Sequence, residues 1–467
     1  MNISQKEWFP LIVSFSVANY RSFSTEETFS LAASNRLSGS HDDHVVPIPN
    51  CSDKVLRAGV LYGANGAGKS NLFKALSFMK RFALGARKSR RGTGREAFRL
   101  GETTEASSSF DLQFVTAGKL YRFGFKVDDD RVTEEWLAEG INGREIAIYE
   151  RATDSDGKVT IELSKIIART STKLVALATV GGPQNQSFLA TVNLTLDQTD
   201  HGELGAVLRW FKDHLKLIGP STPFGPLGAH LHTNASCRTF ASEFLKSVST
   251  GIDHLEVSKH EISEVELRAL LPEDNESRLL KDRFEEELGP SLIRLKKGTE
   301  LLVERTPENR FYRITTRAMH RDENGSAVPF ELADESDGTR RLLNLIPALH
   351  GLQASEDVYF IDEIDRSLHP NLVREFISFF LTSCHGSRSQ VIVTTHESNL
   401  LDLDLLRRDE IWFAEKDHSS STRLYSLTDF KVRNDLEIRK HYLNGRFGAI
   451  PFLGDLDRLL VEKAPAV

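Results

Sequence analysis

The sequence predicts an α/β fold in which a mostly parallel sheet carries a phosphate-binding loop. Residues 55–62 form an apolar run that leads into Gly63-Ala-Asn-Gly-Ala-Gly-Lys-Ser70, and a helical pattern follows over 71–79. Two further apolar runs, 358–361 and 390–394, each end in polar side chains. Buried parallel strands deliver such side chains at their carboxyl ends, where the sheets of α/β proteins bind ligands.

Residues 1–150 are predicted to form a β-rich lobe around the loop. Asp128-Asp-Asp130 indicates a hairpin turn. The strand patterns lie at 11–17, 27–32, 108–116, 119–127 and 131–137.

The loop fits the pattern G-x-x-x-x-G-K-[ST], whose backbone N–H groups surround phosphates at a helix N-terminus. Lys69 is expected to reach the β- and γ-phosphates of ATP, and the Ser70 hydroxyl to ligate Mg²⁺. The remaining residues assigned to the nucleotide are Gly63, Asn65, Gly66, Gly68 and Asn71.

Residues 151–310 are interpreted as a mixed and helical insertion that supplies partner or oligomer contacts. Helices are predicted over 204–217 and 236–249. The charged segment 256–303 is predicted to form a short helical hairpin broken by Pro272 and Pro290. Its expected apolar face consists of Leu279, Leu280, Phe284 and Leu288.

Residues 311–467 contain the second chemical cluster, after predicted strands at 311–319 and 328–332. Asp362 and Glu363 end an apolar strand in the Walker B pattern. We expect Asp362 to hold Mg²⁺ opposite Ser70, and Glu363 to act as the general base on the attacking water. His396, at the end of the next apolar strand, is expected to contact the γ-phosphate or that water.

Ser336 and Gly338 open an amphipathic helical pattern, where a hydroxyl, a flexible backbone and the helix dipole together favour an anion. One nucleotide needs only one phosphate loop. The sequence therefore predicts that this second site grips a nucleotide bound to another copy of the chain.

The order of these motifs resembles that of ABC-type ATPases of the RecF/SMC/OLD branch. Ser336-x-Gly338 is similar to the signature, 364–370 to the D-loop with Asp365 near the nucleotide, and His396 to the switch histidine. Residues 15–23 and 442–452 resemble the first strand and the closing segment of small defence ATPases in that branch. The resemblance implies a two-lobed ATPase head with a helical insertion, whose dimer encloses two ATP molecules and supplies each signature in trans.

Three features depart from the family pattern. The signature is Ser-Asp-Gly-Thr, which is unlike that of transporters. Gln113 is only a weak candidate for the glutamine loop. About 70 residues follow His396, too few for the Toprim nuclease domain of OLD-type proteins, so no nuclease activity is expected in this chain.

The ATPase subunits of PARIS-type anti-phage systems give the nearest resemblance. It implies an oligomeric ATPase that holds a separate Toprim-type nuclease effector until a phage-encoded trigger is sensed. The alternative is a RecF-like DNA-repair ATPase, which the basic stretch 87–95 would favour through phosphate contacts. A third interpretation, a transporter subunit, is weakened by the N-terminal strand, by the region of about 170 residues that separates the two motif-bearing lobes, and by the signature.

The composition of the chain bears on its solubility, its partners and its location in the cell. Over 467 residues, 40% apolar and 27% charged content is typical of a soluble globular protein of two or three subdomains. The net charge of −7 argues against bulk attraction to nucleic acid. Cys51, Cys237 and Cys384 show no metal-ligand spacing and predict free thiols in the cytoplasm. No signal peptide and no membrane span are expected.

Overall fold

The computed structural model describes residues 9–85, 92–101, 106–220, 227–270, 289–294, 300–354, 356–383, 389–431 and 437–450. Its contacts divide the chain into two compact units. Unit 1 comprises Met1–Leu217, Ser355–Asp365 and Val373–Val467, and unit 2 comprises Ile218–Ala354 and Arg366–Leu372. This division differs from the three parts expected at 1–150, 151–310 and 311–467, because residues 151–217 pack with the phosphate-loop unit.

The strands are β1 (Leu11–Ala18), β2 (Glu27–Ser30), β3 (Val45–Pro47), β4 (Lys54–Leu56), β5 (Ala58–Tyr62), β6 (Ser108–Thr116), β7 (Lys119–Val127), β8 (Val132–Ile141), β9 (Arg144–Thr153), β10 (Val159–Leu163), β11 (Leu215–Ile218), β12 (His254–Ile262), β13 (Gly289–Arg294), β14 (Glu300–Arg305), β15 (Phe311–Arg321), β16 (Ala327–Glu331), β17 (Val358–Ile361), β18 (Gln390–Thr395), β19 (Ile411–Lys416) and β20 (Thr422–Ser426). The α-helices are α1 (Lys69–Leu84), α2 (Lys165–Thr170), α3 (Thr172–Val180), α4 (Phe188–Thr195), α5 (Leu204–Arg209), α6 (Leu227–Thr233), α7 (Ala235–Ser247), α8 (Glu264–Leu270), α9 (Asp337–Ala354), α10 (Pro370–Ser383) and α11 (Ile438–Leu443).

The first sheet of unit 1 has seven strands in the order β10-β9-β8-β7-β6-β1-β2. Neighbouring strands in this sheet are antiparallel, and they form the predicted β-rich lobe. In β6 the alternate residues Phe110, Leu112 and Phe114 are fully buried, which is the period-two pattern of a strand with one core face. Asp128 closes the predicted hairpin turn, where its N–H donates to the Arg131 carbonyl over 3.0 Å.

The second sheet has the order β11-β17-β18-β5-β19-β20. Strands β17, β18, β5 and β19 are parallel neighbours, and β20 is antiparallel to β19. Every residue of β5, β17 and β18 is buried. In this register Ile361 pairs with Val393 and Tyr62 with Thr395, so the residues that follow β5, β17 and β18 meet at one edge.

Helix α1 packs its apolar face into the main core of unit 1. Leu72, Leu76, Met79 and Phe82 are buried at helical spacing. The Phe82 ring lies 4.6 Å from that of Phe125, which belongs to the seven-stranded sheet. This packing fixes the direction of the helix whose first turn follows the phosphate loop.

Unit 2 contains a five-stranded antiparallel sheet, in which β15 pairs with β12, β14 and β16, and β13 pairs with β14. Helices α6, α7 and α9 bury apolar residues in one core, for example Leu231, Leu245 and Ile346. Among the described residues, no helix is both long and apolar enough to cross a membrane.

Two sequence-based expectations are corrected here. The described part of 256–303 contains the short helix α8 but is otherwise strand, because β12 pairs along its whole length with β15, and β13 pairs with β14. At the start of β12, Leu255 and Val257 alternate with polar residues, which the helical interpretation overlooked. The four residues of the expected helical face, 279, 280, 284 and 288, lie outside the described residues. The helix expected over 204–217 ends as a π-helix at Trp210–His214 and becomes β11.

Candidate nucleotide-binding site

Backbone geometry explains the glycines of the phosphate loop between β5 and α1. A Cβ on Gly68, whose φ is +111°, would lie 2.0 Å from the Thr422 hydroxyl. A Cβ on Gly63 would lie 2.5 Å from the Ala414 carbonyl oxygen. Gly66 has a φ of +80° with open space beside it. The loop is therefore held close against β19 and β20, and its shape depends on residues that have no side chain.

Lys69 is buried at the start of α1, with 4% of its surface exposed. Its ammonium donates to the carbonyl oxygens of Gly63 over 2.6 Å and Ala64 over 3.2 Å, and lies 3.3 Å from the His396 ring. Burial lowers the pKa of Lys69 to about 8, against the opposing effect of nearby carboxylates. Those carboxylates belong to Asp365, Asp362 and Glu363.

The two predicted metal ligands meet at the carboxyl end of β17. Asp362 is 1% exposed, and its Oδ1 accepts a 3.2 Å hydrogen bond from the Ser70 hydroxyl. The same oxygen accepts a 2.6 Å hydrogen bond from the Thr394 hydroxyl. A hydroxyl and a carboxylate are the oxygen donors that Mg²⁺ takes in nucleotide sites, so this pair fits the ion chemically.

Glu363 has a left-handed backbone with a φ of +48°. Its N–H donates a 2.8 Å hydrogen bond to the Thr394 hydroxyl. Such a conformation is uncommon outside glycine, and it persists only where the surroundings hold it. The strained residue is the one that the sequence predicts to be the general base.

His396 follows β18 beside the phosphate loop. The backbone N–H of His396 donates a 3.0 Å hydrogen bond to Oδ2 of Asp365. The other carboxylate oxygen, Oδ1 of Asp365, is buried without a hydrogen-bond partner among the described residues. Burial lowers the pKa of His396, and the Lys69 cation adds to the effect. The imidazole is therefore neutral at pH 7, able to accept or donate one hydrogen bond.

A cleft of about 310 Å³ opens beside the first turn of α1. It borders α1 at Asn71, the residue that follows the phosphate loop, whose amide donates a 2.8 Å hydrogen bond to the Ser22 hydroxyl. Asn65 is exposed on the loop itself. The cleft is lined mainly by Arg21, Ser22, Asn71, Glu96, Phe98 and Lys416.

The predicted signature lies in unit 2. The Ser336 hydroxyl accepts a 3.1 Å hydrogen bond from the Thr339 N–H, so Ser336 caps α9. A Cβ on Gly338 would lie 2.8 Å from the Ser367 carbonyl oxygen, within the segment that resembles the D-loop. The glycine thus allows close backbone approach at the helix start.

Unit 1 brings together the side chains predicted for the phosphate loop, Walker B and switch positions, while Ser336 and Gly338 belong to the other unit. The roles of all these residues remain predictions. Gln113 lies inside β6, where it pairs with Ser14 and Arg122, so it is a strand residue rather than part of a loop.

Three supporting residues were missed by the sequence analysis: Thr394, Ser22 and Thr422. Thr394 could have been found, because it ends an apolar strand next to the Walker B strand. Thr422 donates a 2.8 Å hydrogen bond to the Ala67 carbonyl of the loop from more than 300 residues away, and nothing in the local sequence indicates this.

A family model described as "AAA domain, putative AbiEii toxin, Type IV TA system" matches residues 60–161 and 195–402. The matched ranges include Gly63 and the rest of the phosphate loop, Ser336, Asp362 and His396. No curated protein matches the chain.

Solved structures similar to this chain include heads of SMC proteins. The SMC head domain from Thermotoga maritima has 14% identity and a TM-score of 0.33, covering 89% of this chain and 98% of that one. The SmcHead bound to the C-winged helix domain of ScpA has 13% identity and a TM-score of 0.37, covering 89% and 97%. A Smc head domain with an extended coiled coil, bound to the C-terminal domain of ScpA derived from Pyrococcus furiosus, has 12% identity and a TM-score of 0.35, covering 89% and 96%.

Proposed function

The chain belongs to the AAA-domain family of the AbiEii toxin type, and we propose that it binds and hydrolyses ATP as an ABC-type regulatory subunit. The observation that carries the proposal is the meeting of Lys69, Ser70 and Asp362 at the ends of adjacent parallel strands. Hydrolysis needs groups that bind the phosphates, the metal ion and the attacking water close together, and this edge of the sheet has side chains suited to each role.

The described residues suggest how the chain would bind the triphosphate. The backbone of the loop surrounds the phosphates, and the Lys69 ammonium exchanges the Gly63 and Ala64 carbonyls for phosphate oxygens. Ser70 and Asp362 would hold Mg²⁺, which supplies charge neutralisation at the phosphates when bound. We place the nucleoside in the cleft beside Asn71, because that cleft adjoins the loop.

Glu363 and His396 would activate and orient the attacking water. The Glu363 carboxylate accepts a proton from the water, and the neutral His396 ring orients the water or the γ-phosphate. The Asp365 carboxylate holds the His396 backbone through the 3.0 Å hydrogen bond, which keeps the residue beside Lys69.

We further propose that two copies associate on ATP, each supplying Ser336 and Gly338 to the nucleotide of the other, as the resemblance to ABC-type heads implies. A helix N-terminus capped by a hydroxyl is suited to an anion. The output would be control of a separate effector in anti-phage defence, in which the PARIS-type resemblance implies a Toprim nuclease and a phage-encoded trigger. The family's description as a toxin of toxin–antitoxin type supports a defence or growth-control setting.

Nucleotide binding by the purified full chain tests the first part of the proposal. Lys69→Ala should reduce the affinity for a fluorescent ATP analogue with Mg²⁺ by at least about 100-fold, because it removes the buried cation at the phosphates. Lys74→Ala is the matched control, because Lys74 is an exposed cation on the same helix. Equal affinity of Lys69→Ala and the wild type would contradict the proposed site.

Co-purification with the product of the neighbouring gene, expressed from the native locus, tests the regulatory part. A retained nuclease supports it. Strong salt-sensitive DNA binding without a protein partner would instead favour the RecF-like alternative. Arg95, one cation of the basic stretch, is buried and pairs with Asp129 over 2.7 Å, while residues 86–91 lie outside the described residues.

A further inference from the structure

Three metal-ligating side chains in unit 2 lie together although the proposed ATPase uses none of them. They are His230 on α6, Cys237 on α7 and His350 on α9. One ligand atom from each lies within 4.8 Å of the other two. The cluster therefore joins three helices. His230 and Cys237 lie seven residues apart on consecutive helices, and His350 lies more than 100 residues further along the chain.

The local structure positions two of the three donors, Cys237 and His350. Cys237 is fully buried in the core between these helices, whereas His350 is half-buried and His230 is exposed. The Ser236 hydroxyl lies 3.1 Å from Nε2 of His350, and the Phe240 ring lies 5.7 Å from the imidazole. One imidazole is thus already oriented, as outer contacts orient a metal-binding histidine.

The chemistry of the donors indicates the ion. A thiolate with two imidazoles is a borderline-soft set that suits Zn²⁺ better than Mg²⁺ or Ca²⁺. Tetrahedral zinc with such bonds places its ligands about 3.5 Å apart. The three ligand atoms lie within 4.8 Å of one another, so a small side-chain adjustment, for example at the exposed His230, would bring them to this spacing.

We propose that His230, Cys237 and His350 bind one Zn²⁺ ion, with water in the fourth position on the side of the exposed His230. The ion secures the last turns of α9 to α6 and α7. Pro347, three residues before His350, removes one backbone donor from α9, so these turns have a weakened helical ladder. Because α9 begins at the Ser336 cap, zinc would steady the helix that carries the predicted signature.

A second group of residues that could bind a metal supplies a control variant. His41, Asp43 and His44 also lie together, but Nδ1 of His44 bonds to Glu410 over 3.0 Å and Nε2 of His41 bonds to the Leu403 carbonyl over 2.9 Å. His41→Asn is a suitable control for general loss of a histidine side chain, because His41 lies outside the proposed zinc site.

Metal analysis of the full chain tests the proposal. Protein equilibrated with Zn²⁺ and freed of loosely bound metal should hold one zinc per chain, and Co²⁺ substitution should give the absorption of a thiolate-bound tetrahedral ion. His350→Asn and Cys237→Ser should each lower the bound zinc at least about tenfold, and Cys237→Ser should abolish the thiolate band. Cys51→Ser and His41→Asn should change neither result.

Circular dichroism of each variant separates loss of metal from loss of fold. His350→Asn changes a half-buried residue, so it keeps the test valid if Cys237→Ser does not fold. A folded wild type that gives up all zinc to a chelator of micromolar affinity would overturn the proposal. Full zinc content in folded His350→Asn would overturn it as well.

Discussion

The Thr394 hydroxyl donates a 2.6 Å hydrogen bond to the Asp362 carboxylate at the carboxyl ends of β18 and β17. The same hydroxyl accepts the Glu363 N–H over 2.8 Å. One side chain therefore positions the predicted metal ligand and fixes the left-handed backbone of the predicted base. The parallel register of the two strands makes this contact possible.

Thr394→Val should show whether Thr394 positions Asp362 and Glu363 for hydrolysis without contributing to nucleotide binding. Valine keeps the shape but removes the hydroxyl, so Asp362 loses a donor and the Glu363 N–H loses its acceptor. Loss of an outer contact of this kind costs about 10- to 100-fold in activity. We expect kcat for ATP to fall in that range, while the nucleotide Kd stays within about threefold.

Thr395→Val is the matched control, because the Thr395 hydroxyl instead accepts a 2.9 Å hydrogen bond from the N–H of Glu397. It should destabilise the protein to a similar degree and leave kcat within about threefold. Equal loss of activity in both variants would show that Thr394 has only a structural role.

Much of the site could be predicted from sequence because its parts are local. The phosphate loop, the Walker B strand and the strand before His396 are short continuous patterns, and β6 and β7 appear with the predicted bounds. A parallel sheet then brings the strand ends together without further information.

Contacts between distant segments could not be predicted. Thr422 supports the loop only because β20 pairs with β19 beside β5. Of the three proposed zinc ligands, His230 and Cys237 lie seven residues apart, but His350 lies on a helix more than 100 residues away, so the sequence does not indicate the full set. The strand β12 was missed because its charged residues, Glu256, Lys259 and Glu261, suit an exposed helix as well as an exposed sheet face.

Glu363→Gln should trap bound ATP. The amide keeps the shape of the side chain but cannot accept the proton of the attacking water, and removal of a general base costs about 100-fold or more. We expect stable ATP-dependent oligomers with little turnover, measured by size-exclusion chromatography and phosphate release. Glu375→Gln, an exposed position on α10, should behave as the wild type. Wild-type turnover in Glu363→Gln would refute the assignment of the base.

Nucleotide affinity should depend on pH through Lys69. Because burial lowers the pKa of Lys69 to about 8, its positive charge is present below this pH and lost above it. The triphosphate binds the charged form, so Kd should be constant near pH 7 and rise by up to about tenfold per pH unit above 8. Fluorescence titrations across this range measure the effect.

Several titratable groups surround the Lys69 ammonium, so a control variant is needed to assign the pH dependence to Lys69. They are the carboxylates of Asp365, Asp362 and Glu363 and the neutral His396 ring. Lys69→Arg keeps a charge throughout the range, so its weaker binding should lack the rise. A Kd for the wild type that does not change between pH 7 and 9.5 would contradict control by this lysine.

Mixing two inactive variants should reveal whether the signature acts in trans. Ser336→Arg is expected to leave nucleotide binding nearly intact and to block hydrolysis, because a long cation replaces the hydroxyl at the start of α9. It also removes the helix cap, at a cost of about 1 kcal/mol. Ser336→Ala removes the same cap without the added bulk, so unfolding temperatures of the two variants show how much of the effect is stability.

Ser336→Arg combined with Lys69→Ala should recover activity. In a hybrid dimer, the intact phosphate loop of one subunit meets the intact Ser336 of the other, so one of the two composite sites has no lesion. With free exchange at equal amounts, half of the dimers are hybrids, and steady-state hydrolysis should reach about a quarter of the wild-type rate. Exchange is verified with differently tagged subunits. No recovery at any ratio, in subunits that do exchange, would mean that each chain has a self-contained active site.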